Sequence, residues 1–170
     1  MPRGGALTLA PRLAALLALA SCAHIEPSPD LVGSIVPPYP AGLSEREGAC
    51  IGKGDALHVC EYSIGVLSDA SGKPQWILAK HFERYDERGV AYAGVTDVLA
   101  YPRTSKNRQL LLWTCLFKNE VDASVLAVVT KPAAQAKSAS GWAYRVDFAT
   151  GKFVKLNPSD VACYEPQGDD

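Results

Sequence analysis

The sequence predicts an all-β fold: a small antiparallel barrel or sandwich of about seven strands, stapled by disulfides. Three observations carry that expectation. Between residues 49 and 166 the large apolar side chains recur mostly at every second position. Polar or glycine-containing turn signals separate those runs, and four cysteines, an even set, fall inside the region. No amphipathic helical stripe competes with this pattern. The best helical candidate, residues 130–138 (TKPAAQAKS), lacks an apolar face and contains Pro132.

The strands are justified in order. His58, Cys60, Tyr62, Ile64 and Val66 alternate along a first clear strand. Residues 76–85 and 90–101 flank Asp86-Glu87-Arg88-Gly89, a polar turn ending in glycine, and read as a hairpin. Residues 109–117 (QLLLWTCLF) are apolar on both faces, as expected of a strand buried on two sides, with Trp113 in the core. Ser124 to Thr130 pairs with that run across Lys118–Ala123. Trp142, Tyr144, Val146 and Phe148 alternate with Arg145 and Asp147, turn at Ala149-Thr150-Gly151-Lys152, and return through Phe153 to Leu156. A short last strand covers Val161 to Tyr164. No internal repeat emerges at a fixed spacing.

The 170 residues, 48% apolar and 21% charged, suffice for one domain with appendages and exclude a wholly disordered chain. Seventeen basic and eighteen acidic residues balance to −1, so no electrostatic signal points to nucleic acid. A single Met and three His exclude a Met-rich groove or a His-rich metal store.

The first residues do not belong to the domain. Arg3 and Arg12 bring positive charge, and Leu13 to Ala20 is an unbroken apolar run, the pattern of a secretory signal peptide. The run is far short of the roughly 20 residues a spanning helix needs. Leu19-Ala20-Ser21-Cys22 closes it with an aliphatic residue, two small ones and a cysteine. This resembles the lipobox of bacterial lipoproteins. The resemblance implies diacylglycerol on the Cys22 thiol, cleavage before Cys22 and acylation of the new amine by a fatty acid such as palmitate. The competing reading is an ordinary signal peptide cut near Ala23. Alanine at position 23, where aspartate would mark inner-membrane retention, implies by the same resemblance an outer-membrane lipoprotein facing the periplasm. Cleavage removes two of the 17 basic residues and no acid, leaving a body of net charge −3.

The organisation follows: residues 1–21 a lipoprotein signal peptide, 22–48 the acylated cysteine and a Pro-rich tether, 49–166 the β-domain, 167–170 an acidic tail. The five prolines between 27 and 40 favour extended chain, and a flexible tether of this length spans roughly 25–30 Å. In an oxidising compartment Cys50, Cys60, Cys115 and Cys163 are expected to pair. Three pairings are open. Cys50–Cys60 with Cys115–Cys163 is favoured, since the first closes a local loop and the second ties a central strand to the last. A four-thiolate zinc site is disfavoured because no C-x-x-C pair exists.

Enzyme motifs are missing. The chain has no G-x-S-x-G, H-E-x-x-H or G-x-x-x-x-G-K-[ST]. Gly52-Lys53-Gly54-Asp55 has misplaced glycines for a phosphate loop and reads as a tight turn. His58 reads as a satisfied histidine within a sheet and His81 as a solvent-facing one. Trp76 and Trp142 stand at strand starts, where packing outweighs a contact role.

One further pattern bears on function. Ser140-Gly141-Trp142-Ala143-Tyr144 contains S-G-x-x-Y and resembles the inhibitory motif of the membrane-bound lysozyme inhibitors of bacteria. The resemblance implies a partner-binding loop in which Ser140 probes a cleft bearing two carboxylates, Tyr144 braces it, and Lys152 or Lys155 supplies a cation, with Trp142 beside them. The expected protein is therefore a lipid-anchored periplasmic binding protein, not an enzyme, without metal or cofactor. It would act as an inhibitor or immunity protein neutralising an envelope-directed hydrolase such as a lysozyme or toxin. The alternative is an accessory lipoprotein stabilising an envelope secretion or transport assembly.

Overall fold

The structure, a computed structural model of the chain, describes residue 1 and residues 30–52, 60–131 and 135–165. The expected leader with Cys22, the histidine at 58 and the acidic tail lie outside the described residues. Thirteen strands, one turn of 3-10 helix (Pro158–Asp160) and no α-helix are found among those residues. The strands are β1 (Ile35–Val36), β2 (Ser44–Cys50), β3 (Tyr62–Ser68), β4 (Pro74–Tyr85), β5 (Ala91–Ala100) and β6 (Arg108–Leu112). They continue with β7 (Cys115–Phe117), β8 (Glu120–Val121), β9 (Val125–Thr130), β10 (Lys137–Ser138), β11 (Ala143–Asp147), β12 (Lys152–Lys155) and β13 (Val161–Cys163). The expected count of seven is exceeded because several strands hold only two or three residues and one expected strand is broken in two.

All pairings are antiparallel and form three sheets, ordered β1-β5-β4-β3-β2, β12-β11-β9-β6 and β10-β13-β7-β8. They stack in layers. Ile64, Val66, Ile77 and Ala79 of the first sheet meet Leu112, Leu126 and Val146 of the second. The opposite face of the second sheet presents Val125, Ala127, Val129 and Ala143 to Cys115, Val161 and Cys163 of the third. Because successive strand residues point to opposite faces, β9 is apolar on both sides and buried from Val125 to Val129. The strand buried on two sides is thus β9. The run 109–117 is split at Trp113, where the chain leaves the second sheet for the third.

The hairpins follow local chemistry. At the β4–β5 turn the Asp86 carboxylate accepts hydrogen bonds from the Val90 and Arg88 amides, each at 2.9 Å. Those bonds, led by the one from Val90, hold its carboxyl below the usual range. Gly89 closes the turn at φ 79°, a value glycine reaches without strain. Asp69 heads the β3–β4 turn in the same way, its carboxyl lowered first by the Ser71 hydroxyl. The second sheet is tied edgewise to the first by side chains: Asp97 of β5 accepts from the Phe153 amide of β12 at 2.9 Å, and the Thr96 hydroxyl donates to the Gly151 carbonyl at 2.6 Å.

The tether expectation needs correction. Residues 35–36 and 44–50 form strands, and Leu31 and Val36 are 5% and 2% exposed against Leu67, Leu78 and Val95 on the outer face of the first sheet. Proline forbids helix but not an edge strand or a packed extended strap, and the apolar residues between these prolines supply the burial. The strap leaves nine residue steps between Cys22 and Leu31, a reach of at most about 30 Å when fully extended.

Cys50 pairs with Cys60, and Cys115 on β7 with Cys163 on β13. The bridges close sequence separations of 10 and 48 residues. Chain-entropy reasoning assigns about 3 kcal/mol to the first and about 4 kcal/mol to the second. Urea titration of the double Cys115→Ala/Cys163→Ala variant is therefore expected to lose more unfolding free energy than Cys50→Ala/Cys60→Ala. Equal or reversed losses would contradict this ordering.

Candidate functional site

The segment 139–142 lies between β10 and β11 and is tied into the sheets. The Ser140 amide donates to the Val128 carbonyl at 2.6 Å, and the Val128 amide donates to the Trp142 carbonyl at 3.0 Å. The Ala139 amide donates to the Val161 carbonyl at 2.9 Å, so this segment is not a projecting loop. Ser140 is half-buried, its hydroxyl 3.5 Å from that of Thr130. Trp142 and Tyr144 lie on one strand face with ring centroids 4.8 Å apart, packed against the core between the first and second sheets. Gly141, at φ 78°, makes the turn into β11.

Lys152 does not join this group. It stands opposite Asp147 at the turn end of the β11–β12 hairpin, four residues or about 13 Å along the strand from Ala143. Its side chain also leaves from the face opposite Tyr144. Lys155, directly across from Tyr144, shares that residue's face. Of the residues singled out by the motif, the structure brings together Trp142, Tyr144 and Lys155, with Ser140 at the same hairpin end.

Trp113, expected in the core, is 42% exposed at the corner between β6 and β7. The Thr114 amide donates to the Leu112 carbonyl at 2.7 Å, closing a three-residue turn around Trp113 at φ 56°. Such a positive-φ γ-turn is rare and strained, the more so for a bulky side chain. Lys118 and Asn119 also have positive φ, but they form the two-residue turn between β7 and β8, where twist-matched hairpins require it. The Thr114 hydroxyl beside the corner is buried without a partner among the described residues. Two residues from Trp113, the Cys115–Cys163 bridge and the Asp122 amide on the Cys115 carbonyl hold the turn in place. The result is a large indole presented on a fixed backbone.

A second site was not read from the sequence at all. On the outer face of the first sheet, Lys80 is 7% exposed and its ammonium donates to both oxygens of Glu45, at 2.8 and 2.6 Å. The Tyr39 hydroxyl donates to the same carboxylate from the strap. Glu45 lies flat over Gly48 and Gly65: a Cβ at either position would stand 2.9 Å from Glu45 Oε1. Glycine is needed here for close approach. The signal that was available is register, since Lys80 shares strand parity with Trp76 and Leu78 and so faces a covered surface, where a lone ammonium demands an acid.

His81 of β4 is half-exposed, its Nδ1 3.7 Å from Glu83 and its ring 4.9 Å from that of Tyr62. Trp76 is partly buried in the outer-face cluster, in keeping with a packing role. Among the described residues no three His, Cys, Asp or Glu side chains are placed to hold a metal ion, and no helix is long and apolar enough to cross a membrane. Compared with protein-family models, curated proteins and solved structures, the chain matches none.

Burial, and then the hydrogen bond to and charge of Glu45, raise the Tyr39 hydroxyl well above its ordinary pKa of about 10. The folded state therefore holds this proton more tightly than the unfolded chain. The contribution is complete below about pH 10 and is lost as pH rises from there towards the folded value. Tyr39→Phe is expected to cost about 1 kcal/mol at neutral pH. It should also flatten the loss of unfolding free energy above pH 10. Parallel alkaline profiles for the two proteins would refute this.

Proposed function

We propose that this protein is a lipid-anchored envelope protein, held at the outer membrane through Cys22 and facing the periplasm, whose β-domain binds another protein rather than catalysing a reaction. In its most concrete form it neutralises an envelope-directed hydrolase, either a lysozyme as an inhibitor or a competitor's toxin as an immunity protein. The lipobox and the even cysteine set support the location. The observation that carries the binding role is Trp113: an exposed indole held at φ 56° beside a disulfide. Backbone strain of this kind costs about 1–3 kcal/mol and recurs at functional sites. Tryptophan is the residue type most enriched among binding hot spots, and fixing it in advance lowers the entropy cost of association.

Two experiments test the reading. Cys22→Ala is expected to move the protein from the membrane fraction to a soluble or unprocessed form, and unchanged fractionation with unchanged lipid labelling would refute the anchor. The full chain is expected to capture a purified lysozyme or cell-wall-degrading toxin. Trp113→Gly should then weaken capture by about 30-fold, as loss of a hot spot of roughly 2 kcal/mol implies. Glycine adopts the left-handed corner without penalty, so the melting temperature of that variant should hold or rise. Undiminished capture by a folded Trp113→Gly protein would overturn the assignment of Trp113.

A further inference from the structure

A cleft of about 410 Å³ opens on the outer face of the first sheet, beneath the N-terminal strap. Its floor is made by small residues in register: Gly48 and Cys50 of β2, Ser63 of β3 beside Cys50, and Ala93 of β5 across β4. Lys80 and Phe82 of β4 rise between them, and Val36, Pro37 and Tyr39 form the overhang. The volume falls in the range of ligand pockets, which begin at roughly 300 Å³.

The lining defines a chemistry. Glu45 and Lys80 neutralise one another, so a charged ligand would have to break a largely buried ion pair, which is costly. Among the described residues Glu45 is the only hydrogen-bond partner of the Lys80 ammonium and occupies at most two of its three N–H groups, leaving a donor. The Glu45 oxygens retain lone pairs, and Ser63, across from Lys80 in register, adds a hydroxyl to the same lining. Donor and acceptor thus stand side by side within about 3 Å, and Val36 and Pro37 of the strap with Phe82 of β4 give the same cleft an apolar wall. A hydroxyl both donates and accepts, so neighbouring hydroxyls of one ring can bridge the carboxylate and the ammonium while the ring's C–H face lies on the apolar wall.

We infer that this cleft is a binding site for a neutral carbohydrate of one or two pyranose rings, held by Lys80, Glu45 and Ser63 and packed against Phe82. The site is separate from the Trp113 corner, and its failure would leave the protein-binding proposal untouched.

The test uses the full chain in detergent, with detergent alone as the blank, and the probes glucose, N-acetylglucosamine and maltose, each followed by amide chemical shifts. At least one sugar is expected to shift the amides of Gly48, Ser63, Lys80 and Ala93 saturably. Ser63→Ala, which leaves the ion pair in place, should weaken that sugar about 3- to 10-fold, the worth of one hydrogen bond. Phe82→Leu should weaken it with the fold retained. Acetate and ethylammonium, run as charged controls, should leave these amides unmoved. The inference is overturned if no sugar shifts the cleft, if the shifts lie elsewhere, if the charged controls act as strongly, or if folded Ser63→Ala binds unchanged.

Discussion

Strand β9 sets the architecture because it is apolar on both faces. One covered face would leave Val125, Ala127 and Val129, or Leu126, in water, so the chain has to build on both sides of it. The first sheet covers one face and the small third sheet the other. Three layers result, not a closed barrel. The Cys115–Cys163 bridge then fastens two strands of the thinnest layer, where strands of two or three residues bury too little area to hold themselves.

The same logic of covering explains the strap. The first sheet has a second, outward face carrying Leu67, Leu78 and Val95, and the residues that cover it come from the Pro-rich N-terminal segment. Over half that face the cover is hydrophobic. Over the other half the sheet offers glycine, serine and alanine, and there the contact between strap and sheet is polar: Tyr39 to Glu45, and Glu45 to Lys80. A buried ammonium is tolerated because its acid lies against two glycines that leave room for it. The cleft is what remains where small side chains on the sheet meet a strap too narrow to fill the space.

The proposed contact residue and the motif residues illustrate different physics. Trp142 and Tyr144 belong to an alternating strand, so their side chains go where the strand's inward face goes, into the core. Trp113 sits in an equally apolar run, yet its indole is turned outward because the chain changes sheets at that residue. Lys152 fell into a pattern by spacing along the chain, whereas its position across from Asp147 puts it on the wrong face for Tyr144. Period-two reading supplies the face of a side chain within a strand. It is silent where a strand ends.

The amino-acid order by itself determined the all-β class and the β4–β5 and β11–β12 hairpins. Each of these rests on local alternation or on aspartate and glycine at turns. Only the tertiary structure decided that residues 30–43 pack as a strap, that 109–117 breaks at Trp113, and that Lys80 meets Glu45 from 35 residues away. Those outcomes depend on which surfaces remain uncovered after the sheets have formed. That is a property of the assembled layers, written in no single stretch of chain.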